Sequence, residues 1–169
     1  MTILVTGGAG FIGSHFVKYV REKDPNVRMV ILDALTYAGN TKNLDEVMGQ
    51  TGISFIRGSI ADADLVEHIM DEYHPEVIVN FAAETHVDRS IHSSASDFVE
   101  TNVRGVQVLL DAARAYKIEK FIQISTDEVY GALLLDARER FTEESPFKPN
   151  SPYAASKAAG DLLCRSYFV

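Results

Sequence analysis

The chain has 169 residues, 46% of them hydrophobic and 24% charged, with 11 Gly and 5 Pro; this suffices for one sizeable core and leaves too little bias for a flexible tail. Acids outnumber bases 24 to 16, for a formal charge of −8, and no Lys/Arg block stands against them, which excludes nucleic-acid or anionic-membrane binding by general electrostatics. No apolar stretch approaches the roughly 20 residues that span a bilayer, no export signal is visible after Met1, and the single Cys164 excludes an intrachain disulfide or a cysteine-cluster metal site.

In chain order, Thr2–Thr6 predicts a buried strand that stops at glycines, and Phe11–Lys23 a helix with Phe16, Val17 and Val20 on one face. Val27–Asp33 and Ile53–Arg57 predict the second and third strands. Asp62 is placed to cap a helix carrying Leu65, Val66, Ile69, Met70 and Tyr73, which His74-Pro75 ends. Glu76–Asn80 predicts a fourth strand, Ser94–Tyr116 a long helix and Lys120–Ser125 a fifth strand. Ser151 opens a last helix with Pro152 in its first turn. Strands separated by helices imply a doubly wound α/β fold, a parallel sheet covered on both faces. In the long helix, Val99, Val103, Val106, Leu110 and Ala113 form one apolar stripe and Phe98, Gly105, Leu109 and Ala112 another. One stripe covers the sheet; the other either meets a second subunit or belongs to one broad buried face. No repeat or linker divides the sequence, so the expectation is one domain over residues 1–169, located in the cytoplasm.

Three constellations carry chemistry. The first strand runs into Gly7-Gly8-Ala9-Gly10-Phe11-Ile12-Gly13, and a helix follows. Glycines there let backbone approach a pyrophosphate, and the opening amides of the helix donate to it. Asp33 ends the second strand at the distance where a carboxylate takes ribose hydroxyls and repels a 2′-phosphate, so NAD is the expected cofactor. Tyr153-Ala-Ala-Ser-Lys157 places a phenol and an ammonium on one helical face, where the cation is expected to draw the Tyr153 pKa down toward a usable base. Thr126-Asp127-Glu128 follows the fifth strand, at the carboxyl end where ligands of an open parallel sheet sit; two carboxyls there point to acid/base work beyond hydride transfer, and an acidic turn cap is the bland alternative.

The glycines and Tyr-x-x-x-Lys resemble the short-chain dehydrogenase/reductase superfamily, with its Rossmann fold. Adding Asp33-Ala-Leu-Thr-Tyr-Ala-Gly-Asn40, Ala82-Ala-Glu-Thr-His-Val-Asp-Arg-Ser90 and Ser125-Thr-Asp-Glu-Val-Tyr-Gly131 in this order, nearly the whole chain resembles the dTDP-glucose 4,6-dehydratases of the extended branch. The resemblance implies a hydro-lyase of deoxysugar biosynthesis that converts dTDP-glucose to dTDP-4-keto-6-deoxyglucose and water, with NAD reduced and re-oxidised in one cycle. It makes Tyr153 the base at the sugar 4-hydroxyl, with Lys157 supporting it and binding ribose. Thr126 is bonded to the 4-oxygen, Glu128 is the base at C5, and Asp127 is the acid at the departing 6-hydroxyl. Cofactor contacts map onto Gly7, Gly10, Phe11, Ile12, Gly13, Asp33, Ala34, Leu35, Thr36, Ser59, Ile60, Phe81, Ala82, Ala83, Thr101, Tyr153 and Lys157, and substrate contacts onto Thr85 and Thr126. The superfamily also implies a homodimer through the 94–116 and 151–169 helices. The alternatives are another nucleotide-sugar dehydratase, epimerase or decarboxylase, or a catalytically incompetent NAD-binding fragment.

Some features depart from the pattern. Gly58-Ser59-Ile60 carries a neutral hydroxyl where the family has Asp, which predicts weaker NAD binding. Leu133-Leu134-Leu135 is an apolar insertion expected to pack down. His68, His74 and His92 read as ordinary helix or loop residues, His86 has no evident role, and Cys164 reads as core. The family continues into further strands and a substrate lobe, whereas this chain ends at Val169. The expectation is that the C-terminal strands and lobe are absent and that these residues alone are poorly active or inactive.

Overall fold

The computed structural model describes residues 1–133 and 138–168. Five strands, β1 (Thr2–Thr6), β2 (Arg28–Asp33), β3 (Ile53–Arg57), β4 (Val77–Asn80) and β5 (Lys120–Gln123), form one parallel sheet in the order β3-β2-β1-β4-β5. A strand buried on both faces needs apolar side chains at every position, which explains the unbroken runs of β1 and β2. Alternate residues sort to opposite faces. Ile3, Val5, Met29, Ile31 and Val79 pack with Val17 of α1 (Phe11–Lys23); Leu4, Val30, Leu32 and Ile78 pack with Val66, Ile69 and Met70 of α2 (Ala63–Tyr73). The predicted doubly wound architecture is what forms. Strand order reverses between β1 and β4, so their carboxyl ends open a crevice.

The element ends differ from the expectation by one or two residues: β2 opens at Arg28, β4 at Val77, and β5 closes at Gln123. Asp62 caps α2 through the Leu65 N–H, and His74 closes it in a left-handed turn at φ 46°. A helix that the sequence did not announce, α3 (Val87–His92), is capped by His86, whose ring nitrogen accepts the Arg89 N–H; this gives the unassigned histidine a role.

The predicted 94–116 helix resolves into α4 (Ser96–Val99), a π-helical segment (Glu100–Gly105) and α5 (Val106–Ala115). The π segment adds residues to the turn and breaks the expected stripe: Val99 is 54% exposed while Val106 and Leu110, further along it, are buried. In α5, Val106, Val108, Leu109 and Leu110 all bury, so one broad face packs against α2 and α6 (Pro152–Tyr167). Cys164 is half-buried rather than core, and burial pushes its thiol up to about 11. Leu133 is exposed, contrary to the packed-down expectation, while Leu134 and Leu135 lie outside the described residues.

Candidate active site

The crevice at the β1/β4 reversal is a cleft of about 320 Å³. The glycine turn forms its floor. A Cβ on Gly7 would stand 2.5 Å from the Ala82 nitrogen, and one on Gly13 would stand 2.3 Å from the Gly7 carbonyl oxygen, so only glycine lets the turn, β4 and α1 approach this closely. Gly7 also sits at φ 67°. The α1 N-terminus has no side-chain cap and no acid in its first turn, which leaves its amides and dipole facing the cleft. Phe11 and Ile12, 78% and 61% exposed, lie over that opening.

Asp33 borders the cleft from the end of β2 and is 8% exposed. One carboxylate oxygen accepts the Ala9 N–H at 2.8 Å and the other accepts the Leu35 N–H at 2.8 Å. The carboxylate is thus aimed by the backbone and retains lone pairs for a ligand's hydroxyls. Leu35 departs from its expected place: its left-handed backbone serves Asp33, and its side chain packs on the core rather than lining the cleft. Ser59 and Ile60 line the wall after β3, and Ser59 Oγ accepts the Ala61 N–H at 3.1 Å. Ala34, Thr36, Phe81, Ala82, Ala83, Thr85 and Thr101 complete the expected lining. These groups match what a dinucleotide demands: amides for the pyrophosphate, a fixed carboxylate for ribose and apolar walls for the rings.

The end of the cleft that holds Tyr153 and Lys157 is built by α6. Ser151 caps the helix through the Ala154 N–H, and Tyr153 and Lys157, one turn apart, both reach the cleft. Tyr153 is buried, edge-on to Phe98, with its N–H donating to Ser90 Oγ at 3.2 Å. Lys157 is 4% exposed and donates to the Ile124 carbonyl at 2.6 Å. Asp127–Tyr130 form a 3₁₀ turn that is capped by Thr126 and packs against α6, near enough for the charges of Glu128 and Asp127 to act on Tyr153. Thr126, Asp127 and Glu128 stand next to the cleft lining rather than in it.

The electrostatics differ from expectation in one respect. The Tyr153 phenol is raised above its ordinary value, chiefly by burial, with the Thr126 hydroxyl opposing the rise and Glu128, Tyr37 and Asp127 adding to it. Lys157 does not draw it down as expected, because its ammonium is turned onto the Ile124 carbonyl; its own pKa is lowered by burial. Glu128 is more sheltered than Asp127, so the two carboxyls occupy different environments.

Several lining residues went unread in the sequence. Leu32, Ala38, Gly39, Gly58, Glu84, Ile124 and Ser125 border the cleft. Buried Glu84 pairs with Arg89 at 2.8 Å, and Arg89 also holds Asp97 at 2.8 Å and lies over the Tyr37 and Phe98 rings. Tyr37 reaches across to the Thr85 hydroxyl at 2.7 Å. Asn102, in the π segment, bonds both the N–H and the carbonyl of Glu84 and the Ser156 hydroxyl, each at 2.9 Å, tying the loop after β4 to α6. A glycine after a strand was the available signal for Gly58. Nothing in spacing singles out Tyr37, Arg89 or Asn102.

Known proteins bear on this arrangement. The chain is 52% identical over 167 residues to the low-salt glycan biosynthesis protein Agl12 of Haloferax volcanii, covering 99% of this chain and 52% of that protein. It is 52% identical to a dTDP-glucose 4,6-dehydratase of Streptomyces niveus, covering 99% of this chain and 49% of the relative. Among solved structures, the dTDP-glucose 4,6-dehydratase of Bacillus anthracis in complex with NAD superposes with a TM-score of 0.89 at 43% identity, covering 99% of this chain and 50% of that one. The chain therefore spans about half the length of the curated relatives it matches. The model of the GDP-mannose 4,6 dehydratase family matches residues 4–168, and the chain belongs to that family.

Proposed function

We propose that residues 1–169 are one domain, the NAD-binding and catalytic portion of a dTDP-glucose 4,6-dehydratase. The observation that carries this reading is the packing of the Asp127–Tyr130 turn, capped by Thr126, against the helix that presents Tyr153 to a dinucleotide-shaped cleft. An oxidoreductase or epimerase needs the phenol and the lysine; a pair of carboxyls beside them serves the loss of water. The relatives' identities support the substrate class.

Bound NAD supplies a hydride acceptor that later returns the hydride. The chain's own residues do the rest. Asp33 and the α1 amides hold and orient the cofactor, and Phe11 and Ile12 shelter it from water. Thr126 and Tyr153 bracket the sugar 4-oxygen; burial holds the Tyr153 phenol protonated in the cofactor-free chain, the positive charge of bound nicotinamide would favour its ionisation, and the phenolate then takes the hydroxyl proton as the ketone forms. The ketone acidifies the C5 proton, which Glu128 removes while Asp127 protonates the departing 6-hydroxyl. The more sheltered Glu128 and the exposed Asp127 offer the two environments that an acid and a base side by side require. Thr85, already bonded to Tyr37, stands at the substrate side.

A homodimer through the α4–α5 run and α6 goes with this reading, since α4 exposes Val99 and α6 exposes Leu162. A monomer by light scattering would count against it. A cytoplasmic location follows from the supply of NAD and nucleotide sugars. Among the described residues no helix is long and apolar enough to cross a membrane.

The test is incubation with NAD and dTDP-glucose at protein concentrations matching the sugar, over long times, with mass spectrometry for loss of one water. Slow turnover is expected from this chain alone. Asp127→Asn with Glu128→Gln is expected to stop dehydration and leave NAD binding intact. Epimerised or oxidised sugar in place of the dehydrated one, or dehydration undiminished in the double variant, refutes the assignment.

A further inference from the structure

Lys157 presents a problem that the proposed mechanism leaves open. Its ammonium is buried, 4% exposed, yet its short contact is with a neutral group, the Ile124 carbonyl at 2.6 Å. A buried cation held only by a carbonyl is poorly supported, because taking the charge out of water costs more than one neutral acceptor returns. One turn further along α6, on the same face, stands Asp161, whose carboxylate accepts a short hydrogen bond from the Ser125 hydroxyl. Ile124 and Ser125 are consecutive residues at the carboxyl end of β5, and both border the cleft. Two side chains one turn apart on the catalytic helix thus grip two consecutive residues of one strand end.

We propose that Asp161 is the positioning residue for Lys157: through Ser125 it fixes the strand end whose carbonyl receives the ammonium, and it sets a balancing negative charge one turn along the same helical face. The inference rests on the reading of Lys157 as the cation that serves the cofactor and Tyr153. Other groups do not take this role. On α6, Tyr153 and Cys164 also face the region, but burial raises the phenol and the thiol, which keeps both protonated and neutral. Asp127 and Glu128, on the turn after β5, act on the Tyr153 side. Asp161 is the carboxylate whose charge reaches Lys157, opposing the effect of burial, and Lys157 acts on Asp161 in return. Asp161 is itself partly buried, which raises its pKa and which a carboxylate on the open face of the helix would avoid. The arrangement resembles the outer groups that orient ligands in other sites, where a second residue fixes the one that does the work.

The test is the ionisation midpoint of the Lys157 side chain, followed by NMR in the whole chain labelled at lysine, without cofactor. In Asp161→Asn, which keeps the size and a hydrogen bond to Ser125, the midpoint is expected to fall by about one pH unit. Asp161→Glu is expected to recover most of that shift. Ser125→Ala keeps the charge and removes the grip, and a smaller fall is expected. NAD affinity is then expected to weaken in the order of those shifts. An unchanged Lys157 midpoint in Asp161→Asn overturns the proposal; if that variant does not fold, an unchanged midpoint in Ser125→Ala does so. Because the titration is read without NAD, failure of the wild-type chain to bind NAD would sink the functional reading and leave this measurement standing.

Discussion

Replacing Asp33 by Asn tests whether the structure has identified the cofactor's ribose anchor. The carboxylate is 8% exposed and accepts two backbone N–H groups at 2.8 Å, from Ala9 and from Leu35. Gly39 closes over it so tightly that a Cβ there would stand 2.8 Å from one carboxylate oxygen, so Asn cannot swing away. An amide accepts from one of the two N–H groups and sets its own donors against the other. Hydrogen bonds to a charged acceptor contribute about 1.5–3 kcal/mol each, so losing one and leaving a buried N–H unpaired is expected to cost about 2–3 kcal/mol of stability. The same change removes the charged acceptor for the ribose hydroxyls, which at about 1.4 kcal/mol per tenfold predicts NAD affinity weaker by about tenfold or more. It also removes the repulsion against a 2′-phosphate, so the preference for NAD over NADP narrows. Urea denaturation gives the first quantity, and titration calorimetry with NAD and NADP gives the second. A variant with the wild-type midpoint and NAD affinity within about twofold would refute the reasoning, since neither the turn nor the ligand would then depend on the charge.

Gly13→Ala gains helix propensity of about 1 kcal/mol but drives a methyl to 2.3 Å from the Gly7 oxygen and 2.9 Å from the Gly8 Cα. The clash wins: a net loss of stability of about 1–3 kcal/mol and no measurable NAD binding are expected by thermal melting and calorimetry. Ser59→Asp is expected to tighten NAD binding several-fold, since a charged acceptor replaces a hydroxyl at the cleft wall; an unaltered affinity removes Ser59 as a cause of weaker binding. Lys157→Met combined with Asp161→Asn is expected to abolish the proposed activity while raising stability by about 1 kcal/mol near neutral pH, because it removes a buried charge without leaving its partner behind. The Lys157 pKa is lowered by burial from an ordinary value of 10.5, so the wild-type penalty is full below the lowered value and fades as pH rises through it toward 10.5. Melts across alkaline pH should show the two proteins converging, and a gap that widens contradicts the sign.

The sheet and its flanking helices were legible because burial on both faces leaves unbroken apolar runs, and because Asp62 and Ser151 announce helix starts by capping chemistry. The cofactor turn was legible because the close approach of Gly7 and Gly13 excludes other residues. The π segment was not. Val99 and Val103 fit α-helical stepping as well as any residues, and the cause of the distortion, Asn102 bonding Glu84 from another element, is long-range. α3 escaped because six residues are too few for a period and its cap is a histidine. The Tyr153–Lys157 spacing correctly put both groups on one face, but spacing carries no rotamer: the lysine turns to Ile124, and burial governs the phenol. Tyr37 and Arg89 act through ring and carboxylate contacts between segments distant in sequence, which no local pattern encodes.

Among the described residues β5 has a single neighbouring strand, and it leads directly into Ile124, Ser125 and the Thr126–Glu128 turn, whereas the glycine turn springs from β1 at the centre of the sheet. Amide hydrogens along β5 should therefore exchange with solvent sooner than those of β1. Moderate warming should unfasten the acid and base residues while the cofactor cradle still stands. On the proposed function, the molecule would then bind dinucleotide and no longer dehydrate, so loss of chemistry and release of cofactor should occur at two different temperatures.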